Sequence, residues 1–146
     1  MARASASITI ARPIEEVFAV LTDVEKTGRW FPGDVEEHWT SPPPHGLGST
    51  RHAVVMAMGR RTENDATVTE YDPPRRGVMA GTSQGVNFTA AFDFAEAGGG
   101  TSVAMTFITD ARGMMKLLIR PFTAWYGRAM QRGLENLKRM METGEL

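Results

Sequence analysis

Residues 86–107, VNFTAAFDFAEAGGGTSVAMTF, carry the architecture of the chain in their spacing. Val86, Phe88, Ala90, Phe92 and Phe94 occupy alternate positions, Val103, Met105 and Phe107 do the same, and Gly98-Gly99-Gly100 separates the two runs. Apolar residues at a period of two mark half-buried strands, and a glycine-rich break between two such runs is a hairpin turn. A glycine triplet also suits a phosphate-cradling loop, but no helix follows this one and no Lys-Ser/Thr completes such a motif.

Upstream the same signature repeats. Asp34 to Thr40 reads as a strand, followed by Ser41-Pro42-Pro43-Pro44-His45-Gly46, a loop unable to join a ladder. Ser49 to Met58 reads as the next strand, with His52, Val54, Met56 and Met58 on one face and Arg51, Ala53, Val55 and Ala57 on the other. Gly59-Arg60 turns into Thr62 to Tyr71, where Asn64, Ala66 and Val68 continue the inner face until Asp72-Pro73-Pro74 ends the strand. A shorter strand covers Gly77 to Gly81.

Helical periods occupy the two ends. After a first strand at Ala4 to Ala11, Pro13 suits a helix start, and Glu15 and Glu16 complement the positive end of its dipole. Ile14, Val17, Phe18 and Leu21 then give a short helix from about Pro13 to Thr22 one apolar face. Asp23 caps a second short helix ending near Gly28, and Trp30-Phe31-Pro32-Gly33 closes the pair. From Ala111 to Glu142, the residues Met115, Leu118, Phe122, Trp125, Tyr126, Ala129, Gly133 and Met140 fall in one wide helical stripe. Pro121 either kinks this helix or marks a restart. Gly127 and Gly133 each cost it about 1 kcal/mol relative to alanine, which close approach of the sheet or of a ligand would offset.

The 146-residue length is enough for one substantial core, hiding about 68–70% of the unfolded surface. Apolar residues make up 42% and charged residues 23%, which excludes the compositions of disorder and of membrane spans. Without cysteine there is no disulfide, thiolate metal site or cysteine nucleophile. Met1 to Ile10 carries no apolar stretch of signal-peptide length, and no run of apolar residues is long enough to span a bilayer, so a cytoplasmic location is expected. The formal net charge is −1, yet from Ala111 onward there are seven basic against three acidic residues. Such a tail suits either a solvated helix face or contact with a membrane surface or acidic partner.

One strand, two short helices, six strands and a long helix place helices at the ends of an uninterrupted antiparallel run. Three stretches go with that order: Ser7 to Phe18 (SITIARPIEEVF) with Asp23 and Trp30, Val68 to Arg76 (VTEYDPPRR), and Leu134 to Lys138 (LENLK). In these the chain resembles the START-like superfamily (SRPBCC, or helix-grip proteins), and within it the polyketide cyclase/dehydrase-like group. The resemblance covers nearly the whole chain. These stretches are structural rather than catalytic, so they identify fold more than activity. The resemblance implies an α+β helix-grip fold in one domain over 1–146: a bent antiparallel sheet of seven strands wrapped around a long C-terminal helix. It further implies a cavity between sheet and helix for a small hydrophobic molecule such as a lipid or polyketide.

Against that implied fold, Val54, Met56, Met58, Phe88, Phe92, Met105 and Phe107 are expected to face inward, opposite Phe122, Trp125 and Tyr126. Ten methionines suit either a pliant binding wall or a plain core. His52 stands at an inward parity among Val and Met, fit to orient a ligand oxygen or act as a general base; the alternative is a hydrogen-bonded histidine at the rim. Asn64, with Glu37 beside Trp39, would give the pocket a polar end. Tyr126 and Trp125 each bring a polar tip on an apolar ring, useful for gripping a ligand and equally common in cores. Arg51 and Arg128 have the charge for an acidic head group, but their expected faces point to solvent or the rim.

Neither metal nor other cofactor is expected: His38, His45 and His52 have no paired ligand spacing. Asn87-Phe88-Thr89 matches a glycosylation acceptor without a secretory signal to use it. No G-x-S-x-G elbow is present, and Lys26, Lys116 and Lys138 read as exposed. Three functions remain open. The first is a binder or carrier of a small hydrophobic ligand. The second is a cyclase/aromatase-like dehydratase with His52 and Asn64 as candidate catalytic groups. The third is an interaction module using the basic C-terminal helix. Nucleic acid is not an expected partner, and the oligomeric state is open.

Overall fold

Each alternating segment pairs with its neighbour in sequence except the first, which closes on the last. The structure, a computed structural model, describes residues 2–146; Met1, the head of the stretch read for a signal peptide, lies outside them. The strands are β1 (Ala2–Ile10), β2 (Asp34–Trp39), β3 (Thr50–Ala57), β4 (Arg60–Asp72), β5 (Arg76–Ser83), β6 (Val86–Ala97) and β7 (Gly100–Thr109). They form one antiparallel seven-stranded sheet ordered β1-β7-β6-β5-β4-β3-β2. In the β6–β7 hairpin Phe92 stands opposite Met105 and Phe94 opposite Val103, the pairing that the alternation requires.

The helices are α1 (Ile14–Thr22), α2 (Thr27–Trp30), α3 (Met114–Leu118) and α4 (Arg120–Glu142). The segment read as one second short helix is a 3-10 turn at Val24–Lys26 running into α2, with the Asp23 carboxylate accepting from the Glu25 N–H at 3.1 Å. Pro121 restarts the long helix rather than kinking it. It lies in the first turn of α4, where a missing N–H leaves no bond unmade. The expected apolar stripe therefore divides. Ala129, Gly133 and Met140 join Met130, Leu134, Leu137 and Met141 in the core, whereas Met115 and Leu118 stand in α3 and are exposed.

Helix α4 packs along β1, which would otherwise present a bare sheet edge. Gln131 bridges the Ser7 backbone, accepting from its N–H at 3.3 Å and donating to its carbonyl at 3.1 Å; Lys138 Nζ donates to the Thr9 carbonyl at 2.9 Å. Glycine at 133 allows the α2 segment to approach: a β-carbon there would meet Pro32 and Trp30 side chains at 3.3 Å and Phe31 at 3.4 Å. The compensation for that helical glycine is thus the Trp30-Phe31-Pro32 corner, not the sheet and not a ligand. Among the described residues no helix is long and apolar enough to cross a membrane.

Candidate functional site

Between the concave sheet and the start of α4 lies a cavity of about 920 Å³. Strand β3 meets it with the face opposite to the one expected. Arg51, Ala53, Val55 and Ala57 line the cavity, and His52, Val54 and Met56 do not. The sequence offers apolar residues on both faces of this strand, and bulk alone favours the set that faces away from the cavity. A wall that leaves room for a guest instead needs its small residues inside, here Ala53 and Ala57. Met58 does reach the cavity, from the β3–β4 turn (φ 53°) rather than from strand alternation.

Displaced outward, His52 is held by two carboxylates, Asp65 Oδ1 at 2.8 Å from Nδ1 and Glu63 Oε1 at 3.1 Å from Nε2. Its pKa is raised, chiefly by the hydrogen bond to Asp65. As a general base inside the cavity His52 is therefore corrected: it is a rim-and-solvent ion pair on the outer face. Asn64 faces inward as expected, because it stands opposite Ala53 in the β3–β4 register.

The partner of Asn64 is Arg51, whose Nη1 donates to the Asn64 side-chain oxygen and, at 3.4 Å, to its carbonyl. Arg51 is only 6% exposed, and its Nε lies 3.3 Å from Glu37 Oε2. Strand β2 brings Asp34 to the same spot by an irregularity. Asp34 stands opposite Val55 and Glu36 opposite Val54, so Val35 is an extra residue that resets the alternation. Three positions apart, Asp34 and Glu37 would point to opposite faces of a regular strand. With the bulge both line the cavity, as does Trp39, whose ring stacks on His45 at 4.2 Å.

Around this polar group the wall is aromatic. Phe107 stacks on Tyr126 at 4.2 Å and on Phe88 at 5.4 Å, while Phe122 and Phe31 flank Tyr126 at 5.8 and 5.5 Å. The Arg51 guanidinium sits 6.0 Å from the Phe88 ring centre, within cation–π range. Phe92, Met105, Phe107, Phe122 and Tyr126 all line the cavity, together with Phe88. Trp125 does not; it is half-buried beside Phe122. Arg128, the other cation weighed for an acidic head group, is exposed on the outer side of α4 and is not part of the wall.

Burial sets the protonation of this cluster. Glu37 is pushed up to about 9, first by desolvation and then by the Asp34 side chain, with Arg51 pulling the other way. Asp34 is also raised by burial, with Glu37 and Arg51 opposing. Desolvation lifts the Tyr126 phenol as well, and the charges of Arg51, Glu37 and Asp34 all reach it. At neutral pH the group therefore presents a fixed guanidinium, a carboxyl that keeps its proton, an amide and a phenol on one apolar wall. That set can donate hydrogen bonds to a ligand oxygen and can give or take a proton.

Four buried side-chain atoms lack a hydrogen-bond partner among the described residues: Trp30 Nε1, Asp34 Oδ1, Arg51 Nε and Thr109 Oγ1. All four belong to residues on the cavity wall. Arg51 Nε, although 3.3 Å from Glu37, lacks the angle of a hydrogen bond to it. Each such orphan costs about 1–3 kcal/mol in a dry interior. Sequence reasoning missed Arg51, Asp34, Trp30 and Thr109 as wall residues. For Arg51 a signal existed: it alternates with Ala53 and Ala57, the small residues of a face that has to stay open.

The family model for polyketide cyclase / dehydrase and lipid transport matches residues 1–142. None of the curated proteins matches the chain in sequence. Among solved structures, TTHA0849 from Thermus thermophilus superposes with a TM-score of 0.81 at 17% identity, covering 99% of both chains. Zhui aromatase/cyclase from Streptomyces sp. R1128 gives 0.76 at 17% identity, covering 96% of this chain and 93% of its own. DR_A0006 from Deinococcus radiodurans gives 0.71 at 17% identity, covering 97% and 98%. At these identities the likeness is one of fold.

Proposed function

The chain belongs to the polyketide cyclase/dehydrase and lipid transport family, and from that premise we propose that it binds a small, mostly apolar molecule carrying an oxygen function. Its apolar body lies against Phe88, Phe107 and Tyr126, and its oxygen meets Arg51, Asn64 and the protonated Glu37. The carrying observation is that Arg51, Asn64 and Glu37 converge at one place on the wall of an otherwise apolar cavity. A few convergent polar groups in an apolar chamber are what fix a ligand's polar end. A volume of about 920 Å³ falls at the upper end of the range usual for small-molecule sites, roughly 300–1,000 Å³. In this reading residues 1–146 act as one domain with a single chamber.

Native mass spectrometry of the purified protein tests the proposal. The expected result is a discrete adduct, released on denaturation, whose composition is hydrocarbon-rich with one or more oxygens. No adduct, together with no saturable uptake of parinaric acid, an apolar fluorescent carboxylate, would overturn it.

A second reading, an enzyme of the cyclase/dehydratase type, is favoured by one observation, the carboxyl of Glu37 held near 9 beside a guanidinium. A carboxylic acid that keeps its proton at neutral pH can protonate a leaving hydroxyl while Arg51 stabilises an enolate oxygen. Single-turnover assays on a poly-β-keto thioester would show product with the wild type and none with Glu37→Gln. Equal rates in the two proteins would remove this reading and leave the binder.

A further inference from the structure

The mouth of the cavity carries an element that the ligand chamber does not require. Helix α3 has no buried residue at all. Met114 is 71% exposed, Leu117 58% and Leu118 68%. At 3.6 residues per turn Met114, Met115, Leu117 and Leu118 share one broad arc and Lys116 faces away from it. Met115 and Leu118 border the cavity, as does the exposed Met58 at the tip of the β3–β4 turn. An apolar arc left in water is a site for something to cover.

Its charge surroundings identify the cover. Arg112 and Arg120 stand at the two ends of the arc, and Arg60 and Arg61 follow Met58 on the β3–β4 turn, which borders the same cavity; all four are exposed. The acidic group in contact with this set is Asp110, 3.5 Å from Arg112, with both side chains largely in solvent. Exposed methionine and leucine ringed by cations, on a short helix that projects with no groove of its own, suit a partner that is negatively charged at its surface and fluid beneath. An anionic bilayer has both properties and demands no shape match.

We propose that α3 and the Met58 turn form a membrane-contact face, inserting Met114 and Leu117 among the acyl chains while Arg60, Arg61, Arg112 and Arg120 meet anionic headgroups. The cavity mouth then opens toward the lipid phase, where a poorly soluble ligand resides. That use as a loading port rests on the ligand reading above; the contact itself does not.

The test is sedimentation with vesicles of phosphatidylcholine alone or mixed with phosphatidylglycerol. The wild-type protein is expected to sediment with the mixed vesicles only, and less so as salt rises. Arg120→Gln should weaken binding about fivefold, the equivalent of about 1 kcal/mol per cation at an anionic surface. Leu117→Asp combined with Met114→Asp should abolish it while leaving the circular dichroism and parinaric acid uptake unchanged, since neither residue lines the cavity. Failure of the wild type to bind mixed vesicles overturns the proposal, including the case in which α3 engages an acidic protein surface instead. So does vesicle binding that survives the double aspartate variant. Loss of parinaric acid uptake in the wild type would count against the ligand reading alone.

Discussion

Arg51 and His52 are neighbours on β3, both cationic in kind and both beside two carboxylates, and the sheet sends them to opposite fates. Arg51 is inside with Glu37, Asp34 and Asn64; His52 is outside with Asp65 and Glu63. On the dry side burial dominates, raising both carboxyls so that a proton is retained. On the wet side hydrogen bonding dominates, and solvated carboxylates hold the imidazole pKa above its ordinary value. The same kinds of group become a ligand-recognition device on one face and a surface ion pair on the other. What separates them is access to water.

The largest effect is expected from removing the inner cation. Arg51→Ala leaves Asp34 and Glu37 in the cavity wall without a counter-charge, and breaking a buried pair on one side costs about 3–5 kcal/mol. Denaturant unfolding at neutral pH should show a loss near the lower end of that range, because Glu37 already holds a proton. A loss below about 1 kcal/mol would mean that the inner cluster is as wet as the outer one, and the contrast would collapse.

Next in size is a change of volume with no change of charge. Val55→Phe places a ring in the cavity from a half-buried strand position that faces it. Uptake of parinaric acid should fall at least about tenfold, worth about 1.4 kcal/mol, with little loss of stability because the ring fills space rather than displacing packed atoms. The same substitution at a position on the outer face, Met56→Phe, should leave uptake unchanged. Equal effects at both positions would show that the faces of β3 are not distinguished by the ligand.

These substitutions turn on a parity that the sequence did not reveal. The order of strands and helices was legible because Phe88, Phe92, Phe94, Val103 and Met105 leave only one apolar face each, and because Pro13, Pro121 and the Gly98 to Gly100 turn punctuate the chain. On β3 both faces carry apolar residues, so alternation alone is silent about which one is inside. The bulge at Val35 is equally hidden, since one extra residue shifts the facing of Asp34 relative to Glu37 without changing the composition. A cavity also inverts the usual guide. Its wall favours small residues and a few polar ones, which resemble a solvent face when read one residue at a time.

A slope with pH, rather than a single loss, also separates the two clusters. Glu37 has a folded-state pKa near 9 against an ordinary 4.5. Below 4.5 both the folded and unfolded forms hold the proton, and its contribution to stability is fully present. Between 4.5 and 9 only the folded form holds it, so stability falls as pH rises, by at most about 1.4 kcal/mol per pH unit. Glu37→Gln has no proton to hold, and its stability should decline less steeply across that window. Unfolding curves for the two proteins that stay parallel between 4.5 and 9 would show that Glu37 ionises freely in the cavity.

On the outer face the sign is the same and the size is least. The His52 pKa is raised above 6.5 by Asp65 and Glu63, so the stabilisation is fully present below 6.5 and disappears as pH climbs through the folded-state value. His52→Ala should therefore cost more in acid than in base. In either case the cost should stay within about 1 kcal/mol, because the Glu63 and Asp65 side chains are 55% and 74% exposed and water screens the pair. Added salt should reduce that cost further, while the penalty of Arg51→Ala, taken where solvent ions do not reach, should hardly change. A His52→Ala penalty indifferent to both pH and salt would assign the residue a packing role, and the distinction between the two clusters would then rest on Arg51 alone.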